Sequence, residues 1–177
     1  MVGGILAVVA VLAGVLSFTV LPNVLVNLDA RAATVDTTVA LTGGPGDASV
    51  VVPAGWSYRH PLFDDRTVIV RSPDGGLEVA FAAVAASAGD AFQARAAGES
   101  GLPAPVAETL SSGLRAVHAA TDDVVVAALA GASGTLGTPG SSATSGSVTA
   151  VAHASGERPL ADYLPTVAGL FAGVSAP

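Results

Sequence analysis

Apolar and polar positions alternate along the middle of the chain, where short apolar runs are separated by turn residues. Val50–Val52 leads into a Pro-Ala-Gly turn, and two further runs, Thr67–Arg71 and Leu77–Phe81, flank the sequence Ser72-Pro73-Asp74-Gly75-Gly76. Proline presets one turn position and Asp-Gly accepts a positive φ, so this spacing predicts a β-hairpin. Trp56, directly after the first turn, is expected to cover one edge of the core.

The second half of the chain repeats this pattern around Thr121-Asp122-Asp123. The apolar runs Leu114–Ala119 and Val124–Leu129 flank that turn sequence. They predict a second hairpin, with a bulge near Gly113.

Residues 106–119 as a whole remain ambiguous between strand and helix. Four apolar residues there recur at helical spacing: Val106, Leu110, Leu114 and Val117. The run Leu114–Ala119 also fits a strand that leads into a turn, so the pattern leaves both alternatives open. Ser147–Ala152 predicts one more strand.

Two segments are predicted to be helical. Asp90 is a candidate N-cap with Gln93 three residues later, and Gly98 follows, which predicts a two-turn helix. Seven apolar residues near the C-terminus recur at the spacing of one helix face: Leu160, Tyr163, Leu164, Val167, Leu170, Phe171 and Val174. They predict a long amphipathic helix. Its apolar face needs a partner, and the sheet is the largest candidate. The expected fold class is therefore α+β, an antiparallel β-sheet packed against a long C-terminal helix.

The first 28 residues carry no charged side chain. About 20 apolar residues suffice to cross the roughly 30 Å hydrocarbon core of a bilayer, so residues 1–28 are expected to form a transmembrane helix. The alternative is a cleaved signal peptide, because Ala30-Arg31-Ala32 fits the small-x-small cleavage pattern. Orientation is left open, since no Lys or Arg precedes the segment and Arg31 follows it. We expect the C-terminal domain to be extracytoplasmic on a single-pass protein of the cell membrane.

After this segment we expect a connector and one domain. Residues 29–48 form the connector, with a short strand at Val35–Leu41. Residues 49–177 form the α+β extracytoplasmic domain. Within it, residues 131–147 are mostly Gly, Ser, Thr, Ala and Pro with little apolar surface to bury, which predicts a mobile Gly/Ser-rich loop.

Small residues follow one face of the N-terminal segment. Gly3, Ala7, Ala10 and Gly14 lie at i, i+4, i+7 and i+11. Such a face lets two helices approach closely, so we expect a homodimer through it as a further interaction.

Composition excludes several classes of function. Acidic residues outnumber basic ones by 14 to 7, and all seven basic residues are Arg. Without Lys or a clustered Arg stripe, the chain lacks the basic surface that nucleic-acid binding requires. It also has no Cys. This excludes disulfides, thiol catalysis, Cys-ligated zinc and a lipoprotein-type lipid anchor.

The remaining candidate chemistry is sparse. His60, His118 and His153 are more than thirty residues apart, whereas a zinc site gathers three or four ligands. No Gly-x-Ser-x-Gly elbow and no phosphate-binding loop ending in Lys is present. The expectation is therefore no enzyme, with no catalytic, cofactor-binding or metal residues and no cofactor.

The chain resembles PsbP-like domains found on uncharacterised single-pass envelope proteins of high-GC actinobacteria. The resemblance rests on the Val-Pro-Ala-Gly-Trp opening at 52–56, the Arg-Ser-Pro-Asp-Gly-Gly hairpin at 71–76 and the closing amphipathic helix. It covers roughly residues 49–174. It implies a non-catalytic sheet-and-helix module used in binding or assembly at a membrane face.

Three functions follow as hypotheses. The first is a membrane-anchored, non-catalytic binding or assembly module that contacts an envelope protein partner. The second is a carrier of a small apolar ligand or lipid between the sheet and the C-terminal helix, because many core positions are Ala and leave room for a cavity. The third is a hydrolase that uses His118.

Overall fold

A computed structural model describes residues 30–42, 44, 46–131, 146–155 and 158–177. The strands in these residues are β1 (Arg31–Ala32), β2 (Thr37–Leu41), β3 (Ala48–Val52), β4 (Ser57–Arg59), β5 (Thr67–Arg71), β6 (Leu77–Val84), β7 (Val106–Thr109), β8 (Arg115–Ala120), β9 (Val124–Ala130), β10 (Ser147–Ala154) and β11 (Val174–Ser175). The helices are α1 (Ala88–Ala96), a 3-10 helix (Leu160–Tyr163) and α2 (Leu164–Ala172). The fold is therefore α+β, made mostly of antiparallel sheet.

The described strands form a large and a small antiparallel sheet. The large sheet has eight strands in the order β1-β4-β5-β6-β10-β9-β8-β7. The small sheet has the order β11-β3-β2. Strand β10 is inserted between β6 and β9, so that Val151 lies opposite Ala80 on one side and Val126 on the other.

Both predicted hairpins are present. Strands β5 and β6 pair with Arg71 opposite Glu78, and the turn between them is closed by a hydrogen bond from Gly75 N to Ser72 O of 2.9 Å. Strands β8 and β9 pair across the Thr121–Asp123 turn, where Thr121 N donates to Val124 O at 2.8 Å. The local turn chemistry therefore specifies both connections.

Residues 106–119 form strands rather than a helix. Strands β7 and β8 pair with Val106 opposite His118 and Thr109 opposite Arg115. Gly113 lies in the turn between these two strands with φ of +84°, a conformation that glycine adopts without a steric penalty. Gly113 N donates to Leu110 O at 2.9 Å and Leu110 N donates to Leu114 O at 2.8 Å, the pattern of a three-residue turn that ends in a glycine bulge. The predicted bulge near Gly113 is therefore present, although it lies in the β7–β8 turn and not in the β8–β9 hairpin.

Apolar layers cover both faces of the large sheet. Every residue of β9 is buried, which is the pattern of a strand covered on two faces. On one face, Phe92 of α1 packs with residues such as Val126 and Val151. On the other, Val167 and Leu170 of α2 and the strands of the small sheet complete the main core. Trp56 belongs to this main core and is buried, as expected.

The C-terminal helix is shorter than predicted. The apolar spacing from Leu160 to Val174 suggests one long helix, but the helical segment spans 13 residues, of which the first four are 3-10. Pro165 lies in the first turn of α2, and the helix ends at Gly173. Val174 then pairs with Val50 as part of β11. Most of the apolar residues of this segment still pack in the main core, as expected. Their periodic spacing, however, runs through a 3-10 helix, an α-helix and a strand.

Helix α1 begins earlier than the sequence predicts. Its N-cap is Ser87, whose side-chain oxygen accepts a hydrogen bond from Asp90 N at 3.2 Å. The Ser87 hydroxyl in turn donates to Asp90 Oδ2 at 2.8 Å. Asp90 is thus the third residue of the helix rather than its cap.

The chain consists of two compact units, with the boundary between Ala30 and Arg31. Residues 31–48, assigned from sequence to a connector, contribute β1 and β2 to the second unit. The predicted transmembrane helix at 1–28, with its small face at Gly3, Ala7, Ala10 and Gly14, lies outside the described residues, as does most of the predicted loop at 131–147. Among the helices that are described, none has the length and apolar character needed to cross a membrane.

Candidate ligand-binding pocket

A pocket of about 250 Å³ lies between α2 and the strands β7, β8 and β9. Its lining is Glu108 and Leu110 of the β7 segment, Ala116, His118 and Ala120 of β8, Val125 of β9, and Leu164, Val167, Ala168 and Phe171 of α2. Eight of these ten side chains are apolar. The pocket occupies the place between sheet and C-terminal helix where a cavity was expected from the alanine-rich core.

Strand and helix periodicity together create this lining. Ala116, His118 and Ala120 are alternate residues of β8, and alternate residues of a strand share one face. The four α2 residues lie at i, i+3, i+4 and i+7, the spacing of one helix face. Ala116, Ala120 and Ala168 project only a methyl group each, so helix and sheet leave space between them at this point.

Glu108 and His118 supply the polar part of the lining. Their facing atoms, Glu108 Oε1 and His118 Nε2, are 3.1 Å apart. The Nε2 atom is itself buried, yet it has no aligned hydrogen-bond partner in the described part of the chain. The short distance is therefore a contact without hydrogen-bond alignment. Buried polar atoms are usually satisfied, so this pair has unused hydrogen-bonding capacity.

Helix α2, which forms the helical wall of the pocket, is connected to the β5–β6 hairpin by a hydrogen bond of the residue that precedes it. Tyr163, the residue just before α2, donates its hydroxyl proton to Asp74 Oδ2 at 2.9 Å. The Asp74 carboxylate also accepts from the Ser72 hydroxyl at 2.5 Å and from Gly76 N at 3.1 Å. Arg158 lies 3.4 Å from the same carboxylate. The hairpin turn therefore holds the beginning of the helical segment.

These hydrogen bonds shift two ionisation equilibria. The Ser72 hydroxyl, followed by the Gly76 amide and the Tyr163 hydroxyl, lowers the pKa of Asp74 from its ordinary value of 3.8 to about 2. Desolvation, together with the neighbouring Asp74 carboxylate, raises the pKa of Tyr163. Ionised Asp74 and protonated Tyr163 are thus the forms that the fold stabilises.

The three histidines have separate surroundings. His60 Nδ1 is 2.9 Å from Thr67 O, and His153 Nε2 is 3.8 Å from Glu99 Oε1. His118 has the Glu108 contact at the pocket. Within the described ranges, no group of three or more His, Asp or Glu side chains is positioned to hold a metal ion.

The pairing of Glu108 with His118 was not predicted from the sequence. Glu108 lies opposite Ala116, and His118 lies opposite Val106, so the two side chains meet diagonally across two strands. Diagonal neighbours on one face of an antiparallel pair are within reach of long side chains. The sequence predicts this contact only when residues 106–119 are assigned to two paired strands and the register of the pairing is known.

Comparison of the chain with protein-family models, with curated proteins and with solved structures found no match.

Proposed function

We propose that the chain is a membrane-anchored, non-catalytic binding module of the cell envelope and that its pocket binds a small apolar ligand. The observation that carries this proposal is the cavity of about 250 Å³ with its largely apolar lining. An apolar cavity of about 150 Å³ holds benzene in another protein. The anchor and the envelope location are supported by the uncharged N-terminal segment and by the resemblance to PsbP-like envelope domains.

The volume limits the size of the ligand. At about 30 Å³ for each water-sized group, the pocket holds about eight heavy atoms. A six-carbon chain with one polar group fits this limit. Burial of six methylene groups at about 0.8 kcal/mol each contributes at most about 5 kcal/mol, and because association itself costs free energy, a Kd of a few hundred micromolar is the tightest that we expect.

The polar lining selects the polar group of the ligand. Glu108 brings an acidic side chain, half exposed, to the lining of the pocket. A carboxylate placed beside it is repelled, whereas an amine or a hydroxyl donates a hydrogen bond. At about 4 Å in water-like surroundings two unit charges interact by about 1 kcal/mol, so we expect about fivefold discrimination against an acid.

Binding can be tested on residues 31–177, because they form a compact unit with their own core. Titration of hexylamine, 1-hexanol and hexanoate, followed by amide chemical shifts, measures affinity and locates the site. We expect shifts in β8 and α2, with hexanoate the weakest ligand.

One pair of variants distinguishes the pocket from general hydrophobic binding. Ala168→Leu fills the pocket from α2 and should weaken binding at least tenfold. Ala172→Leu adds the same atoms to an exposed position of the same helix outside the lining and should leave binding unchanged. Absence of binding by all three compounds, or equal loss in both variants, would refute a ligand site in this pocket.

The exposed strand β7 supports a second candidate function, assembly with an envelope protein. All four β7 residues are exposed, and the strand is at one end of the large sheet as described. An exposed edge strand can pair with a strand of another protein. Mass spectrometry of the full-length protein purified from its native membrane should then show a stoichiometric partner that is lost in Val106→Lys and kept in Val35→Lys. A partner retained by both variants would exclude this edge.

A further inference from the structure

A second apolar feature lies on the loop of residues 60–66, which joins β4 to β5. Its tip carries Leu62, which is 71% exposed, and Phe63, which is fully exposed. Two adjacent large apolar side chains at one turn make a concentrated exposed site rather than the scattered single residues common on protein surfaces.

The backbone at this tip is strained. Asp64 N donates to Pro61 O at 3.1 Å, so that Leu62 and Phe63 occupy the two central positions of a turn. Phe63 has φ of +65°, in the left-handed region that bulky residues rarely adopt. Glycine or asparagine is the usual residue at such a position. Strained residues of this kind concentrate at functional sites, where the surrounding structure maintains them.

The surrounding structure holds the loop at both ends. Thr42 N donates to Asp65 O at 3.0 Å, and Ala83 N donates to Arg66 O at 3.0 Å. The His60 ring contacts Thr67 O at 2.9 Å. The two apolar side chains are therefore presented by a fixed loop.

The tip lies near the point where the chain enters the folded unit. Strand β1 pairs antiparallel with β4, with Arg31 opposite Tyr58 and Ala32 opposite Ser57. The start of β1 is thus beside the end of β4, from which loop 60–66 departs. Only two residues, 29 and 30, separate the uncharged segment of residues 1–28 from the start of β1 in the sequence.

The charge at this end of the domain differs from the charge of the chain as a whole. Strands β1 and β4 and loop 60–66 carry three Arg residues, Arg31, Arg59 and Arg66, and two acidic residues, Asp64 and Asp65. Their formal charge is +1, whereas the chain as a whole carries -7. This end therefore meets less electrostatic repulsion at anionic lipid than the rest of the chain.

We propose that Leu62 and Phe63 insert into the interfacial region of the membrane in which residues 1–28 are anchored. Leucine and aromatic side chains are suited to that depth. The loop then acts as a second membrane contact beside the covalent junction and fixes the orientation of the domain relative to the bilayer. This inference depends on the membrane anchor of the proposed function and does not depend on the pocket.

The absence of cysteine allows a direct test on the full chain. Single variants Leu62→Cys, Val35→Cys and Val11→Cys are spin-labelled and reconstituted in vesicles of phosphatidylcholine with phosphatidylglycerol. Collision of each label with oxygen, which concentrates in lipid, and with a water-soluble nickel chelate reports its depth. Val35 is the matched control, because it is an exposed apolar residue in the turn that follows β1.

We expect the labels at 62 and 11 to favour oxygen several-fold over the nickel chelate and the label at 35 to show the reverse. A second measurement uses Phe63→Ser in the Leu62→Cys background, which should move the label at 62 toward water. If the label at 62 is aqueous while the label at 11 is in lipid, the loop inference is refuted and the anchor stands. If both are aqueous, the anchor is refuted together with the inference.

Discussion

Gly76→Ala is the substitution whose effect the structure determines most closely. A Cβ built on Gly76 lies 2.1 Å from the Tyr163 hydroxyl oxygen and 3.1 Å from Tyr163 Cζ. Contacts under about 3.0 Å are not seen for real Cβ atoms, so the hydroxyl must move by about 0.9 Å. The hydrogen bond from this hydroxyl to Asp74 is 2.9 Å long, and the displacement lengthens it to between about 3.0 and 3.8 Å, depending on its direction. The alanine methyl therefore competes with the Tyr163–Asp74 hydrogen bond for the position of the hydroxyl.

The cost follows from two opposing terms. Forcing extra atoms into a packed site costs about 1–3 kcal/mol. Replacement of glycine by alanine restricts the unfolded chain and returns about 0.4–1 kcal/mol. The expected loss in free energy of unfolding is about 1–2 kcal/mol, or a decrease of roughly 0.5–1 M in the urea midpoint.

Urea denaturation of residues 31–177 measures this loss, and two comparisons make the test specific. Gly98→Ala is the matched control, because its Cβ meets only Arg95 O at 3.6 Å, an ordinary contact. Tyr163→Phe removes the clashing hydroxyl, so Gly76→Ala should cost less than half as much in that background. Equal costs in both backgrounds, or a cost no larger than that of Gly98→Ala, would refute the close packing of Tyr163 on Gly76. Because Tyr163 directly precedes α2, the same variant should also weaken ligand binding in the pocket.

Three further predictions concern the rest of the fold. Because the pKa of Asp74 is lowered, the stability that ionised Asp74 contributes is present above pH 3.8 and is lost as the pH falls toward 2. In Asp74→Asn, the urea midpoint should therefore decrease less between pH 3.8 and pH 2 than it does in the wild-type protein. An equal decrease in both proteins would contradict this prediction. Phe81 is fully buried and meets Phe171 edge-to-face at 6.3 Å, so Phe81→Ala should cost about 3–5 kcal/mol in urea denaturation, whereas exposed Phe63→Ala should cost none. Ser87→Ala removes the cap of α1 and should cost about 1 kcal/mol by the same assay, with exposed Ser100→Ala as the control that stays within error.

Local chemistry predicted those parts of the fold that depend on neighbouring residues. Pro73, Asp74 and Gly75 determine the β5–β6 turn by their own backbone preferences, and the structure confirms that hairpin. The unbroken apolar character of Val124–Leu129 likewise indicates a strand covered on both faces. It does not indicate which strands lie beside it.

The parts that sequence did not predict depend on distant residues. The position of β10 between β6 and β9 pairs Val151 with Ala80, 71 residues earlier, and no local pattern identifies that partner. At 106–119 the spacing of apolar residues fits two structures equally, and the left-handed turn at Gly113 decides between them. The pocket needs Ala116, Ala120 and Ala168 together, although each is an ordinary alanine in its own element.

The two walls of the pocket are fixed to different extents, and this difference constrains how a ligand reaches it. The helical wall is held at its start by the Tyr163–Asp74 hydrogen bond and at its end by the pairing of Val174 with Val50. The sheet wall ends at β7, whose four residues are all exposed and whose neighbour among the described strands is β8 alone. Segments with few buried contacts open locally at the lowest free energy. The pocket is open to solvent between the two walls, because Glu108 and Ala120 of the sheet and Leu164 and Ala168 of α2 are exposed. If the pocket binds the ligand that we propose, a protein strand bound at the β7 edge would lie beside Glu108 and narrow that opening. The two candidate functions would then be coupled, because assembly at β7 would trap or exclude the ligand.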